Sequence, residues 1–292
     1  MEFKPRFQEK YQHLTELAAY KIAIHEQPRR SIRINTLISN VTSVKQELEN
    51  QGYALDQIPW CNEGFYVGKG PEALGNTEAH LSGRCFIQAS VSMIPSIILN
   101  PGPEDTTLDC CAAPGGKTTH LAMLMQNQGI IVANETDRKR IGILIDNIQR
   151  MHAKNVVVTK TSAEKLTGNY TKILLDAPCS ASGNIYGVSK TSKKTLLEWN
   201  QNTVNRLAIL QRKLISHAYQ LLQPKGTLVY STCSLEPEED EHVIQHLLDT
   251  EPTAKLEKIE LPIKVDWNNG IKIWPQYNHT EGFFISKITK KN

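Results

Sequence analysis

Apolar residues follow a mixed pattern over the first part of the chain and a regular strand–helix alternation after it. In residues 1–27, Leu14, Leu17, Ala18 and Ile22 fall at helical spacing, and Pro28 closes the segment. Ser31–Leu37 alternates as a strand, Val41–Gln51 repeats as a helix stopped by Gly52, and Gly64–Gly68 and Arg84–Gln88 read as strands. These elements predict a small α+β module over residues 1–85. Its βαβ-like order suits an RNA-binding platform without defining one.

Beyond the turn-rich Asn100–Asp105 the pattern becomes regular. Strands are predicted at Thr107–Cys110, Ile130–Asn134, Val156–Val158, Lys172–Leu175 and Gly226–Ser231. Helices are predicted after Lys117, over Lys139–Met151, within Leu196–Leu222 and over Pro237–Leu248, with Ile271–Ile273 and Phe283–Ile288 as closing strands. Strands alternating with helices imply an α/β domain, residues 86–292, built on a mostly parallel sheet covered on both faces. Ligands of such sheets bind outside the carboxyl ends of the strands, so chemistry is expected where strands end in polar residues or cysteines.

Composition narrows the class. With 292 residues, 40% hydrophobic and 22% charged, the chain carries enough apolar content for a sizeable core. Apolar runs such as Ile94–Leu99 fall far below the ~18 residues that span a bilayer. The N-terminal MEFKPRFQEKY has neither an apolar leader nor a transit pattern, so a soluble cytoplasmic protein is expected, with no membrane partner. The net charge of +3 hides an uneven distribution: residues 101–235 carry 16 Lys/Arg against 9 Asp/Glu, and residues 236–292 carry 7 against 11. A basic middle section fits a polyanionic partner, but on charge alone an ordinary solvated surface is the stronger reading. The six cysteines include no C-x-x-C pair, and Cys110 and Cys111 are adjacent, so free thiols are expected and no metal.

Thr107–Thr119 (TLDCCAAPGGKTT) is a strand, a small-residue loop and a helix start. Gly115 and Gly116 permit positive φ and close backbone approach, and the new helix presents free N–H groups. A Walker A loop needs a glycine where Cys111 stands, and G-x-G-x-x-G is absent. An adenosyl-ligand loop remains, alongside a purely structural turn. Glu135, 19 residues beyond Gly116, is the candidate acid for ribose hydroxyls. Asp137 reads as a solvated helix-start carboxylate.

Two cysteines sit just past strands. Lys172–Gly183 (KILLDAPCSASG) brings Asp176, Pro178 and Cys179; Gly226–Leu235 (GTLVYSTCSL) brings Cys233. Singly, each reads as an inert buried thiol; together, at the ligand edge of one sheet, they suggest a shared function. A helix start at Pro237 would favour the Cys233 thiolate, and Glu236, Glu238, Glu239 and Asp240 would oppose it. His120, His152 and His217 are predicted to lie in helices, with no catalytic task.

The chain resembles the Sun-type RNA cytosine-5 methyltransferases, in particular their compact archaeal-type tRNA branch. The likeness rests on LDCCAAPGGKTTH, DAPCSASG, YSTCSLEPEEDE and EGFF, in that order, and extends to RINTL and Gln88–Ser92. It implies a Rossmann-like class I methyltransferase domain using S-adenosyl-L-methionine, preceded by an RNA-binding module. Carried over by position, Cys111, Ala112, Ala113, Pro114, Gly115, Gly116 and Lys117 form the cofactor loop. Glu135 and Arg140 flank the ribose, Asp176 faces both cofactor and base, Cys233 is the nucleophile, and Cys179 serves product release. Two places depart from the family pattern. Ser162 stands where an adenine-binding aspartate is usual, and Asn184–Lys190 replaces an arginine–proline segment, leaving Lys190, Lys193 and Lys194 as candidate phosphate contacts. The expected partner is RNA, tRNA ahead of rRNA, met by a monomer. A catalytically silent RNA-binding assembly factor is the alternative from another class.

Overall fold

The structure, a computed structural model, describes residues 3–71, 73–186 and 190–292; the side chains of residues 190–193 lie outside the description. Two N-terminal helices, α1 (Pro5–Leu14) and α2 (Leu17–Ala23), stand where one helical segment was expected. Thr15 at the end of α1 is extended, with φ −160° and ψ 174°, and divides them. Phe7, Tyr11, Tyr20 and Ile24 are buried against Trp199, Leu235 and Trp274, far along the chain.

The small sheet follows. Strand β1 (Ser31–Ile34) leads to helix α3 (Val41–Asn50), then β2 (Leu55–Gln57), β3 (Gly64–Val67), the short helix α4 (Glu78–Leu81) and β4 (Cys85–Ile87). Asn40 caps α3 by accepting from the backbone N–H groups of Thr42 and Ser43. The strand order is β2-β3-β1-β4 with every pairing antiparallel, so the anticipated βαβ-like arrangement is not a parallel crossover. The sequence pattern missed β2 because only three residues pair there, and two of them are exposed.

Helix α5 (Ile94–Leu99) opens the large unit. It continues through β5 (Thr106–Asp109), α6 (Gly116–Leu124), β6 (Ile130–Asn134), α7 (Arg138–Arg150), β7 (Val156–Thr159) and β8 (Tyr170–Asp176). Then come α8 (Lys190–Glu198), α9 (Gln201–Gln220), β9 (Leu222–Thr232), α10 (Glu241–Thr250), β10 (Ala254–Glu257), β11 (Asp266–Trp267), β12 (Ile271–Ile273), α11 (Pro275–Asn278) and β13 (Phe283–Lys290). The sheet runs β11-β12-β13-β9-β8-β5-β6-β7, with β10 joined to β13. Strands β5 to β9 are parallel, and β13 returns antiparallel beside β9. Alternate residues of each strand bury on opposite faces. Leu174, Val229 and Ile131 meet Ile94, Leu121 and Leu144, whereas Ile173, Leu228 and Tyr230 meet Ile215, Tyr219 and Val243. The order reverses between β5 and β8, the switch point at which ligands enter such sheets.

Two local expectations change. The helix after Cys233 begins at Glu241 rather than Pro237, because Glu236, Glu239 and Asp240 are drawn inward, each fully buried, within a turn. His152 lies beyond the end of α7 at φ 54°, whereas His120 and His217 are helical as expected. Among the described residues, no helix is long and apolar enough to cross a membrane.

Candidate active site

The glycine loop joins β5 to α6 across the switch point. Gly115, at φ 103°, turns the chain into α6, and a side chain there would bring Cβ to 3.0 Å from Leu144 Cδ1. Ala113–Pro114 is a cis peptide. Thr118 donates to Asp109 Oδ2 at 2.7 Å, tying the first turn of α6 back to the end of β5. Burial pushes the Asp109 carboxyl up to about 7.

A cavity of about 410 Å³ opens at this edge. Cys111, Ala113, Glu135, Arg140, Ser162, Asp176, Cys179 and Cys233 line it. Glu135 closes β6, and its Oε1 accepts from the backbone N–H groups of Thr136 (2.8 Å) and Asp137 (3.0 Å). Its Oε2 lies 3.0 Å from Arg140, an ion pair at the cavity wall. Arg140 also donates to the Ala113 carbonyl at 2.6 Å, so acid and loop are held together. Asp137 caps α7 by accepting from the Lys139 and Arg140 backbone N–H groups, the solvated role read from the sequence. Three carboxylates, Glu135, Glu164 and Asp176, face the cavity with Arg140, while Ala163, Leu210 and Leu214 supply apolar walls. A cationic nucleoside fits that lining.

Asp176 stands where three cavities meet. The second, about 240 Å³, is lined by Ala112, Pro114, Gly116 and Lys117 of the loop and by Phe86 and Gln88 of the small sheet. The third, about 230 Å³, contains Cys233, Tyr186, Glu281 and Phe283. Gly115 lines none of these three cavities; its part is conformational. Lys117 Nζ pairs with Asp176 Oδ2 at 2.7 Å, and Ser231 donates to Oδ1 at 2.7 Å.

The two cysteine loops leave from paired strand ends. Asp176 is in register with Ser231, so Cys179 and Cys233 emerge at the same height on β8 and β9. Their sulfurs are 3.2 Å apart. The hydrogen bond to Cys233, then burial, holds the Cys179 thiol well above its ordinary range. Either sulfur can donate to the other. All six cysteines are free. The helix that follows Cys233, α10, starts only at Glu241, so Cys233 does not sit at its first turn.

The acidic run does other work. Glu239 accepts from the Ser180 backbone N–H (2.9 Å), Ser234 Oγ (2.6 Å) and Gln211 (3.2 Å), so one carboxylate spans both cysteine loops. Gly183 donates to the Cys233 carbonyl at 2.9 Å, and Gly282 donates to the Gly183 carbonyl at 2.9 Å. The terminal EGFF segment is thereby fastened beneath the site.

Sequence reasoning missed Arg33. It is fully buried and donates to Gln88 (3.3 Å), the Gly116 carbonyl (3.2 Å) and Thr119 (3.0 Å), joining the small sheet to α6. Its alternation with Ile32 and Ile34 was the available signal, but it reads equally as a polar outward position. Of the candidate phosphate contacts, the Lys190 and Lys193 side chains lie outside the described residues. Lys194 is exposed and lies 3.8 Å from Glu198.

A parallel sheet with this switch point, a glycine turn before α6 and an acid closing β6 define a Rossmann-like class I methyltransferase. Comparison with known proteins makes the assignment specific. Residues 96–289 match the family described as 16S rRNA methyltransferase RsmB/F, and residues 2–90 match the N-terminal domain of 16S rRNA methyltransferase RsmF. The chain belongs to the RsmB/F family.

It is 39% identical over 92% of its length to ribosomal RNA small subunit methyltransferase F of Psychromonas ingrahamii, but spans only 59% of that protein. It is 37% identical to the tRNA (cytosine(49)-C(5))-methyltransferase of Pyrococcus abyssi, with 99% of both chains covered. The solved structure of NSun6 from Pyrococcus horikoshii with SFG is similar at 25% identity and a TM-score of 0.88, over 99% of each chain.

Proposed function

We propose that this protein methylates carbon 5 of cytosine in RNA, with Cys233 as the nucleophile and Cys179 assisting product release. The sulfur pair 3.2 Å apart, at the mouth of the cavity bounded by the glycine loop, carries the reading. S-Adenosylmethionine supplies an electrophilic methyl group when bound. Glu135 and Arg140 hold the ribose, Ser162 offers one hydrogen bond to the adenine, and Cys111–Lys117 wrap the remainder.

Carbon 5 of cytosine is too weak a nucleophile to accept methyl unaided. The Cys233 thiolate adds to carbon 6, and a proton shared between the Asp176 carboxyl and ring nitrogen 3 favours that addition by neutralising the charge that develops on the ring. The electron pair gathered at carbon 5 forms the bond to methyl. A base then takes the carbon 5 proton, the ring double bond re-forms, and the Cys233 sulfur leaves; Cys179 assists there. The target base must first leave its stack, and the 230 Å³ cavity beside Cys233 is the space available to it.

Transfer RNA is the favoured substrate, because the relative matched over 99% of both chains is a tRNA methyltransferase. Ribosomal RNA is the second reading, favoured by the match to ribosomal RNA small subunit methyltransferase F at 39% identity. The module of residues 1–85 is the RNA platform, beside the domain of residues 86–292. The enzyme works as a monomer in the cytoplasm, where its RNA is processed.

Cys233→Ala is expected to abolish methyl transfer while leaving cofactor binding intact, measured by radiolabel incorporation and calorimetry. Cys179→Ala is expected to accumulate a protein–RNA adduct, visible as a slow band on denaturing gels. Normal turnover by the first variant, or no adduct with the second, overturns the assignment. Bisulfite sequencing of tRNA and rRNA from cells lacking the protein decides between the substrates and names the nucleotide.

A further inference from the structure

Away from the proposed reaction centre, two potential ligands from one turn meet a third from far along the chain. Cys61 and Glu63 lie in the tight turn between β2 and β3, and His120 lies on α6, 57 residues beyond Glu63. Their ligand atoms are all within 4.8 Å of one another, and Cys61 Sγ is 3.8 Å from Glu63 Oε2.

The turn is shaped to aim Cys61 inward. Its N–H donates to the Ile58 carbonyl, and the Gly64 N–H donates to the Cys61 carbonyl at 3.0 Å. Gly64 leaves the necessary room: a Cβ there would lie 3.0 Å from Cys61 Sγ. His120 is fully buried, and neither ring nitrogen has a hydrogen-bond partner. Buried imidazoles ordinarily satisfy at least one nitrogen, so this ring calls for a partner beyond the protein's own groups.

We propose that Cys61, Glu63 and His120 bind a divalent transition-metal ion, zinc being the best match, that clamps the small sheet to helix α6. Sulfur, imidazole nitrogen and carboxylate oxygen form a donor set that zinc accepts, with water completing four-coordination. Tetrahedral zinc needs these atoms roughly 3.5 Å apart, and side-chain rotation closes the difference. Charge also balances. Thiolate and carboxylate neutralise the dication, so the bound cluster is itself neutral beside buried Arg33, and the thiol proton goes to solvent on binding. Glu63 is partly exposed, which gives the ion an entry path. The ion would grip α6 one turn beyond Lys117, the residue paired with Asp176.

The test uses the full chain with Cys179→Ala and Cys233→Ala, which removes the reactive-centre thiols as competing ligands. Chelator-treated protein is titrated with Zn²⁺ alone, then with Co²⁺. The expected result is one retained ion per chain, a rise in melting temperature, and a tetrahedral cobalt spectrum with a sulfur-to-metal charge-transfer band. Adding Cys61→Ala should remove that band, and Glu63→Gln should weaken affinity by at least roughly tenfold. Glu63 is a surface-side position, so Glu63→Gln keeps the test valid if the core variant misfolds. Failure to retain zinc, or equal retention by these variants, overturns the proposal.

Discussion

Asp109 is a buried carboxyl with one oxygen hydrogen-bonded to Thr118 and the other without a partner. Burial dominates its environment and pushes its pKa up from 3.8 to about 7, against the smaller opposing pull of Thr118 and Lys117. Between those two values the unfolded chain ionises Asp109 while the folded protein keeps it protonated. Folding stability from this group is thus full below pH 3.8 and is lost as pH rises towards 7. Over the whole window the loss is on the order of 4 kcal/mol. Asp109→Asn preserves an acceptor for Thr118 and removes the ionisation. It is expected to be more stable than the parent at pH 8, with a flatter stability profile between pH 4.5 and 7. Urea denaturation across that range checks it; parallel profiles for the two proteins would refute the titration.

At the scale of elements, the legible and illegible parts of the site divide by the reach of their contacts. The glycine loop, Glu135, Cys179 and Cys233 stand out in the sequence because each sits in a short local pattern at a strand end, and the last three line one cavity. The acidic run Glu236–Asp240 was misread as a helix start because its partners come from elsewhere: Ser180 and Gln211 for Glu239, Tyr11 and Trp199 for Glu236, Lys272 for Asp240. The strands β10 and β11 escaped notice because both are short and lie at the sheet's margins, β11 exposed and β10 only half-buried. Arg33 was invisible for the same reason as Glu239: its role exists only once the small sheet meets α6. Glu239→Ala should therefore act on both cysteine loops together. It strands the Ser180 N–H and the Ser180 and Ser234 hydroxyls, costing about 2–4 kcal/mol of stability. Methyl transfer should fall sharply while cofactor affinity changes little, because Glu239 does not line the 410 Å³ cavity. Calorimetry with a cofactor analogue, set beside initial rates, separates the two; a matched fall in affinity would place the damage elsewhere.

Over the whole molecule, the N-terminal helices are fastened to the catalytic half by a buried charge. Glu236 is fully buried, with Lys10 Nζ at 2.6 Å and hydrogen bonds from Tyr11 and Trp199 at 2.8 Å each. The stacked rings of Phe7 and Tyr11 and the edge contact of Phe7 with Trp199 surround that carboxylate with apolar surface. Lys10 is the cation paired with that carboxylate, and it also reaches Glu238 at 2.8 Å. Lys10→Met would keep the packing of the stem and remove the charge, leaving a buried carboxylate with hydrogen bonds but no counter-ion. Breaking such a pair costs about 3–5 kcal/mol, whereas neutralising both partners costs much less. The expected order of stability is parent, then Lys10→Met/Glu236→Gln, then Lys10→Met, with the coupling energy read from the cycle of urea midpoints. Because these helices share one apolar cluster with Leu235, two residues from Cys233, the single variant should lose methyl transfer along with stability, and the double variant should recover both. Additive effects of the two substitutions would mean that the helices rest on the domain through their aromatic contacts alone.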